Sequence, residues 1–354
     1  MSHSFLNEIK ENRDHSFYIV LSTMLSKQIN MTEYPENFTF YKYSIKPGII
    51  KAITGKNKFL DKLEKNIKPN KVFSVFGPTY WKPTTTHITG FAKPQYIYKD
   101  SPYFNLLSLK DRTKLKINEF FHLFNFKHFS DVLITETDDV SSHLKKILPR
   151  KNIYTVTNYY NQIFDNPHNW IKDIQLPAFD GITLLMIAAN YPHKNLEIIP
   201  KVISYLNSNY SSFKFRFVLT INSEELPVKD KSIFEKIVFL GKVNIDQCPY
   251  VYQQSDFMFL PTLLECFSAS YPEAMRMETP ILTSDLPFAH GLCGKSAVYF
   301  NPVSAEDIAE KIVSLAKNEE QQIKLIEAGK KQLKSFDSSS ERALKYLKII
   351  EESN

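Results

Sequence analysis

Two glutamates flank a stretch of small side chains in the segment LLECFSASYPEAM, which spans residues 263–275. Glu265 follows the apolar run FMFL (257–260), and Glu273 stands eight residues further on. Because Pro272 is tolerated only in a first helical turn, we predict that a helix begins within 267–271. The N–H groups of Phe267 and Ser268 would then form an anion site beside Glu265. The Glu265 and Glu273 carboxylates could then reach opposite ends of one ligand whose middle is a phosphate.

The same segment also fits a purely structural role. Ser270 and Glu273 have the Ser-x-x-Glu spacing of a capping box, in which the glutamate only closes the start of a helix. From the residues alone, both interpretations remain open.

A cation precedes this segment in the run AANYPHKNLEII, residues 188–199. Lys194 stands where a loop after the strand candidate ITLLMIAA turns into a helix, a suitable place for neutralising phosphate. A solvated lysine at a helix start is the alternative. His193 fits a structural or exposed role better than a catalytic one.

Short β-branched or aromatic runs alternate with helical periodicity along most of the chain. This alternation predicts an α/β fold with parallel sheets covered on both faces. The strand candidates are 17–21, 38–44, 72–75, 87–91, 132–135, 153–156, 182–189, 214–220, 237–240, 257–260, 280–283 and 297–300. They form two sets, which predicts two doubly wound domains, 1–160 and 182–334. A proline-containing stretch of weak periodicity, 161–181, is the predicted linker.

The composition favours a soluble two-domain protein. A chain of 354 residues is longer than a single hydrophobic core usually accommodates. No apolar run approaches the roughly 20 residues of a membrane helix. The N-terminus has no apolar secretory core, and the three cysteines have no CxxC spacing. We therefore expect a cytoplasmic protein with free thiols.

Positive charge is concentrated in the first half of the chain. Residues 1–160 hold 24 Lys+Arg and 14 Asp+Glu, and the densest basic stretch, 42–71, has nine lysines. A solvated surface is one explanation, and a face that approaches an anionic membrane or a phosphate-bearing acceptor is the other. Nucleic acid is disfavoured because no groove-reading or base-stacking motif accompanies the lysines.

In this order, the segments resemble the retaining glycosyltransferases of family 4, of the bacterial polysaccharide type, and the resemblance is closest over roughly 180–312. Its most specific element is Glu-x7-Glu between FMFL and EAM. The runs KIVFLGKVNIDQCPYVYQQSDFMFLPT and LPFAHGLCGKSAVYFNP also resemble the family's pattern, as does Asn158 before the linker. The resemblance implies a GT-B fold, two Rossmann-like domains facing a cleft, with residues 335–354 packing back on the first domain.

The resemblance also implies roles for individual residues. Glu273 would bind the ribose hydroxyls of a nucleotide-sugar, and Glu265 would lie by the donor sugar. The loop of Cys266, Phe267 and Ser268 would hold the diphosphate through its amides, with Lys194 stabilising the leaving nucleoside diphosphate. No metal or other cofactor is implied.

Four departures from the family are visible. Cys266 occupies the place of a usual glycine, and Ala188 and Ala189 occupy the places where an arginine is common. No histidine follows the strand HITGF, and His87 stands at its beginning, so His87 receives no catalytic role. The chain also opens close to the helix FLNEIKEN, so the first domain is expected to lack its N-terminal strand and to leave backbone groups of its sheet unpaired.

The predicted activity is sugar transfer to a saccharide or lipid-linked acceptor, in surface polysaccharide biosynthesis, by a cytoplasmic enzyme that contacts the inner face of the membrane. A GT-B epimerase or phosphorylase is an enzymatic alternative, although a pyridoxal-bearing lysine motif is absent. A non-catalytic nucleotide-sugar-binding subunit is the alternative from another class. The Glu265/Glu273 pair favours the enzyme, whereas the missing arginine favours the binding subunit.

Overall fold

Twelve segments form strands in the computed structural model, which describes residues 2–44, 48–226, 228 and 230–353. Each of the twelve predicted strands is present, with shifts of at most a few residues at its ends. The strands are β1 (Phe17–Leu21), β2 (Phe38–Lys42), β3 (Lys71–Ser74), β4 (Thr86–Gly90), β5 (Val132–Thr135), β6 (Asn152–Thr155), β7 (Ile182–Met186), β8 (Phe215–Leu219), β9 (Ile237–Phe239), β10 (Phe257–Leu260), β11 (Ile281–Ser284) and β12 (Ala297–Phe300).

Helices occupy most of the segments between the strands. They are α1 (Ser2–Glu8), α2 (Ile49–Thr54), α3 (Lys58–Ile67), α4 (Pro94–Ile97), α5 (Leu109–Phe129), α6 (Asp138–Ile147), α7 (Ile198–Asn209), α8 (Cys248–Gln253), α9 (Ser270–Arg276), α10 (Pro287–Cys293), α11 (Ala305–Ala316), α12 (Glu319–Leu333) and α13 (Ser339–Glu352). Within the described chain, none of them is both long and apolar enough to cross a membrane.

The chain divides into two compact units. Unit 1 comprises Met1–Ile97, Leu109–Asn158 and Asp337–Asn354, and unit 2 comprises Tyr98–Ser108 and Tyr159–Phe336. The proposed linker, 161–181, lies within unit 2, where Ile171 N donates to Asp246 O at 3.0 Å. Tyr98–Ser108 also belongs to unit 2, although it lies within the range 1–160 predicted as the first domain.

Unit 1 holds two separate parallel sheets. One has the order β1-β2 and the other β3-β4-β5-β6. In the described residues, β1 pairs only with β2 and β3 only with β4, so each of these two strands has one unpaired edge. A single apolar cluster nevertheless joins the sheets, since it contains Leu21 of β1 and Ile88 of β4.

The C-terminal helix α13 completes the core of unit 1. Its Tyr346 ring contacts the rings of Phe5 and Phe73, with centroids 5.4 and 5.2 Å away. On the same helix, the buried Arg342 donates to Asn158 Oδ1 and, at 2.8 Å, to Ser4 Oγ. Asn158 Nδ2 in turn donates to Glu136 Oε1 at 2.9 Å. Helix α13 is therefore held by both apolar packing and a buried polar network.

Unit 2 contains one six-stranded parallel sheet in the order β12-β11-β10-β7-β8-β9. The four inner strands, β7, β8, β10 and β11, are buried almost throughout, as expected for a sheet covered on both faces. Helix α11 packs against α7, and α12 packs against α9.

Replacing Tyr346 with alanine should destabilise unit 1 by about 3–5 kcal/mol, because a buried aromatic ring that contacts Phe5 and Phe73 is removed. Unfolding by denaturant should be followed in a Trp170→Phe background, where Trp81 is the remaining tryptophan and reports on unit 1 alone. Leu344→Ala, an exposed position on the same helix, is the matched control. Equal unfolding midpoints for the two variants would contradict the assigned role of α13.

Candidate active site

The site predicted from sequence lies at a topological switch point of unit 2. Strands β7 and β10 are neighbours, with Leu184 opposite Phe257, although 71 residues separate Lys194 from Glu265. From β7 the chain continues to β8 and β9 on one side, and from β10 it continues to β11 and β12 on the other. The loops after β7 and β10 therefore diverge, which opens the crevice where doubly wound sheets bind ligands.

Main-chain and hydroxyl hydrogen bonds join these two loops. Leu263 N donates to His193 O at 2.7 Å. The buried Thr262 hydroxyl lies 3.1 Å from His193 O and 3.0 Å from Glu265 Oε1, and it can donate to either. The loop carrying Lys194 is consequently held against the loop carrying Glu265.

Lys194 and Glu265 form an ion pair in which Lys194 Nζ lies 2.5 Å from Glu265 Oε1. Only 13% and 11% of their side chains are exposed, so the pair is largely removed from solvent. Lys194 ends a 3-10 turn, Pro192–Lys194, that is closed by Asn195 in the left-handed conformation. The Asn195 side chain donates to Pro302 O at 2.8 Å, which supports the turn from the segment after β12.

Glu273 is buried within α9 and carries a perturbed carboxyl group. Burial raises its pKa from the ordinary 4.5 to about 7, against the opposing effects of a Tyr252 hydrogen bond and the Lys194 charge. This carboxyl is therefore divided between its protonated and ionised forms near neutral pH.

The capping-box interpretation of Glu273 is wrong. Helix α9 begins at Ser270, within the predicted range, but its N-cap residue is Ala269 and no side chain caps it. Ser270 Oγ lies 3.5 Å from Ile187 O in β7's following loop, and not at the amide of Glu273. Since the helix start does not use the Glu273 carboxylate, this buried group needs another explanation.

The loop between the two glutamates leaves donors available to a ligand. In the part of the chain that the structure describes, the amides of Phe267 and Ser268 donate to no protein acceptor. Cys266 is buried and its φ is not positive, so the site does not require the glycine conformation there. The neighbouring Phe267 ring packs edge-on against Phe336 at 6.0 Å, which fixes the outer side of the loop.

The two alanines in the usual arginine positions bring no cation to this site. Ala188 N donates to Thr220 Oγ1 at 3.0 Å, and Ala189 is exposed. Beside them, the His193 ring stacks on Tyr191, with centroids 5.7 Å apart, and burial lowers its pKa. His193 therefore fits a neutral positioning residue better than a charged one.

His87 has a structural role. The ring is buried, with Nδ1 2.5 Å from Phe129 O and Nε2 2.9 Å from Ser74 Oγ. Burial lowers its pKa to about 4, so it is neutral at physiological pH.

Sequence reasoning missed three residues of the site. Thr262, Tyr252 and Ser101 each contact a site residue or the site loop. Ser101 Oγ donates to Leu263 O at 2.6 Å, and it comes from the Tyr98–Ser108 segment, far away in sequence. A hydroxyl beside Glu265 could have been suspected from the Thr-x-x-Glu spacing, but the other two contacts depend on tertiary structure.

Within the described ranges, no group of three His, Cys, Asp or Glu side chains is placed so that it could bind a metal ion. The cations and dipoles available to an anionic ligand there are Lys194 and the loop amides.

Comparison with known proteins agrees with this architecture. Residues 171–332 match the family model described as "Glycosyl transferases group 1". The chain is 27% identical over 124 residues to the O-antigen chain mannosyltransferase RfbU of Salmonella typhimurium, a match covering 33% of this chain and 34% of the relative. The chain thus spans about a third of the length of that curated relative.

Solved structures resemble nearly the whole chain. A glycosyltransferase from Rickettsia africae and WaaG, a glycosyltransferase involved in lipopolysaccharide biosynthesis, each superpose with a TM-score of 0.68 over 99% of this chain and 95% of theirs. Their identities are 14% and 13%. Sucrose-phosphate synthase from Thermosynechococcus elongatus gives a TM-score of 0.61 at 10% identity, over 82% of this chain and 75% of its own. Two Rossmann-like units and these likenesses identify the fold as GT-B.

Proposed function

We propose that this chain is a retaining glycosyltransferase of the family 4 type, which moves a sugar from a nucleotide-sugar to a saccharide or lipid-linked acceptor. The observation that carries this proposal is the buried Lys194–Glu265 pair beside Glu273 at the switch point of unit 2. The match of residues 171–332 to group 1 glycosyl transferases supports the same reaction class.

Glu273 is the proposed ribose ligand. Its carboxylate can accept two hydroxyl hydrogen bonds, and charge-assisted bonds of this kind contribute more than neutral ones. Glu273 is buried but does not cap its helix, so its carboxyl is available to a ligand.

Lys194 and the amides of Phe267 and Ser268 are the proposed diphosphate ligands. When the bond between the anomeric carbon and the phosphate oxygen breaks, its electron pair stays with the nucleoside diphosphate. A cation held there interacts more strongly with the transition state than with the bound donor, which is what accelerates a reaction.

Glu265 is the proposed partner of the donor sugar. Its carboxylate would accept bonds from sugar hydroxyls and stabilise the positive charge that develops on the ring. Lys194 neutralises this carboxylate without donor, so the arriving diphosphate competes for Lys194 and releases Glu265 toward the sugar. The acceptor oxygen then forms the new bond to the anomeric carbon, and its proton passes to the leaving diphosphate oxygen.

The acceptor and location are proposed by analogy. The relatives in O-antigen and lipopolysaccharide synthesis favour a role in surface polysaccharide assembly. Such an enzyme would act in the cytoplasm, at the inner face of the membrane, and would need no metal.

A non-catalytic nucleotide-sugar-binding subunit is the second candidate. One observation favours it, the absence of a cation at Ala188 and Ala189, which leaves Lys194 with a larger share of the diphosphate charge.

A screen of nucleotide-sugars, including mannose and glucose donors, should reveal one that raises the melting temperature of unit 2. A donor present at a hundred times its Kd raises the free energy of unfolding by about 2.7 kcal/mol, which shifts Tm by several degrees. Release of nucleoside diphosphate from that donor in the presence of acceptor separates the enzyme from the binding subunit, because a subunit would bind without release.

Donor affinity should rise with pH across about pH 6–8, because the raised pKa of Glu273, about 7, keeps part of this carboxyl protonated in the free protein. Only ionised Glu273 accepts hydrogen bonds from both ribose hydroxyls, so the protonated fraction should release its proton when the donor binds. This proton release is measurable by calorimetry in buffers of different ionisation enthalpy. Glu273→Gln should lose this pH dependence and bind donor more weakly by roughly 1.5–3 kcal/mol.

The raised pKa of Glu273 also predicts a pH-dependent difference in stability between wild type and Glu273→Gln, which a helix cap would not produce. A carboxyl whose pKa is raised in the folded state favours folding below its unfolded pKa and loses this contribution as pH rises through about 7. Glu273→Gln should therefore be more stable than wild type above about pH 7. A pH-independent loss of about 1 kcal/mol would indicate a cap instead.

Lys194→Ala should lower single-turnover transfer at saturating donor by at least about tenfold, and Lys194→Arg should restore part of the rate. Glu265→Gln keeps the hydrogen bonds but removes the charge, so it should slow transfer while donor binding stays nearly intact. Because removing one member of a buried pair costs stability, thermal melting of each variant and of the Lys194→Met/Glu265→Gln double variant is the control. Near-wild-type rates in both single variants would overturn the assignment.

A further inference from the structure

The segment Tyr98–Ser108 belongs to unit 2, although the chain on both sides of it belongs to unit 1. Helix α4 ends at Ile97, directly before this segment, and α5 begins at Leu109, directly after it. We call the segment Tyr98–Ser108 the strap. A segment that packs with a different unit from both of its flanks needs contacts of its own to hold it there.

Aromatic side chains of the strap contact loops at the carboxyl edge of the unit 2 sheet. The Tyr98 ring lies edge-on to Phe288 of α10, which follows β11, with centroids 5.9 Å apart. The Tyr103 ring lies edge-on to His193 in the loop after β7, with centroids 6.5 Å apart. The strap therefore extends from the loop region after β11 to the loop after β7.

Between these two rings, Ser101 binds the loop after β10. Its hydroxyl donates to Leu263 O at 2.6 Å. Tyr98, Ser101 and Tyr103 thus contact the chain after β11, β10 and β7, which is the order of these neighbouring strands in the sheet. The strap consequently crosses the edge of the sheet at which doubly wound folds bind their ligands.

Leu263 joins the strap to the loop of Lys194. Leu263 is fully buried, its N–H donates to His193 O at 2.7 Å, and its carbonyl accepts from the buried Ser101 hydroxyl. Buried main-chain groups are costly to leave without a hydrogen-bond partner, so both bonds restrain the loop after β10. One residue of this loop is therefore held from both sides.

These restraints lie next to both members of the ion pair. Glu265 comes two residues after Leu263, and Lys194 directly follows His193. In the proposed reaction Lys194 passes from Glu265 to the donor diphosphate, so their mutual attraction no longer holds the loops together. Each charged group must then be kept in place by its own loop, and the bond from Ser101 is one that survives this exchange.

We propose that the strap positions the loops of Glu265 and Lys194 for sugar transfer, with Ser101 as the positioning residue. This inference rests on the proposed function, in which the two loops hold the donor sugar and the diphosphate. Ser101 acts through the Leu263 carbonyl and needs no contact with substrate. A misplacement of about 1 Å can lower a rate about a hundredfold, so turnover should depend on this bond more steeply than donor binding does.

A local role in the strap is the alternative for Ser101. Its hydroxyl also accepts from Tyr103 N at 3.1 Å, as the N-cap of the 3-10 turn Pro102–Leu106. Glycine is a nearly equivalent N-cap but has no hydroxyl, so Ser101→Gly removes the bond to Leu263 O at little expense to the turn. Ser101→Thr keeps a hydroxyl for both bonds.

The first test measures single-turnover transfer at saturating donor. Ser101→Ala and Ser101→Gly should each lower the rate at least about tenfold, with donor Kd changed by less than about threefold. Ser101→Thr should retain most of the rate. Asn105→Ala, at an exposed position of the same 3-10 turn, is the matched control and should transfer as wild type does. Melting temperatures establish that each variant is folded.

Two outcomes of this test would overturn the proposal. One is a rate in Ser101→Ala and Ser101→Gly equal to that of the Asn105→Ala control. The other is a loss in Ser101→Ala with a wild-type rate in Ser101→Gly, which would make Ser101 a cap of the turn only.

A double-variant cycle with Glu265→Ala separates positioning from a general loss of stability. A carboxylate that has been removed cannot be misplaced, so Ser101→Ala should lower the rate of Glu265→Ala by less than about threefold. Full multiplication of the two single effects would contradict a role through the Glu265 loop.

Hydrogen exchange of the free protein tests the strap without any donor. Ser101→Ala should speed amide exchange at least about fivefold in residues 189–196 and 261–270, because local opening of both loops becomes easier. Asn105→Ala should leave this exchange unchanged. Equal exchange in Ser101→Ala and wild type would overturn the proposal. Faster exchange in a protein that releases no nucleoside diphosphate from any donor would support the strap and contradict the proposed sugar transfer, so the two failures are distinguishable.

Discussion

The pairing of β7 with β10 is the constraint on which the candidate site depends. These two strands are adjacent in space, but the chain leaves them in opposite directions across the sheet. Their loops therefore meet at the carboxyl edge, where the bond from Leu263 N to His193 O holds them together. This contact holds the two loops side by side, where Lys194 and Glu265 form their ion pair.

A buried ion pair is costly to form, since both charges lose their hydration and their mutual attraction only partly compensates. The Thr262 hydroxyl offsets some of this cost by offering a hydrogen bond to Glu265. Glu273 forms no ion pair among the described residues, and burial raises its pKa to about 7. A buried carboxyl with a raised pKa near an ion pair is a common feature of binding and catalytic sites.

Unit 1 differs from unit 2 in both charge and construction. Its strands form two sheets with unpaired edges at β1 and β3, and apolar packing that includes α1 and α13 joins them. Helix α3 exposes Lys58, Lys62 and Lys65, while its Asp61 and Glu64 bond inward to Trp81 and Thr84. Part of the surplus of basic residues in the first half of the sequence is therefore exposed on this helix. Lys46, also in the basic stretch 42–71, lies outside the described residues.

The sequence by itself determined the helices and strands, because apolar strands and amphipathic helices are recognisable in short stretches of the chain. A parallel sheet covered on both faces requires such an alternation. All twelve strands were predictable in this way, as were Lys194 and Glu265 as loop residues after β7 and β10. Local pattern could not decide whether Glu273 caps a helix, since Ser270 has the right spacing but its hydroxyl lies by Ile187 O. Nor could it reveal Ser101 beneath the site loop, the membership of Tyr98–Ser108 in unit 2, or the inward bonding of Asp61 and Glu64. Those features were decided by tertiary structure, because each depends on contacts between segments that are distant in sequence.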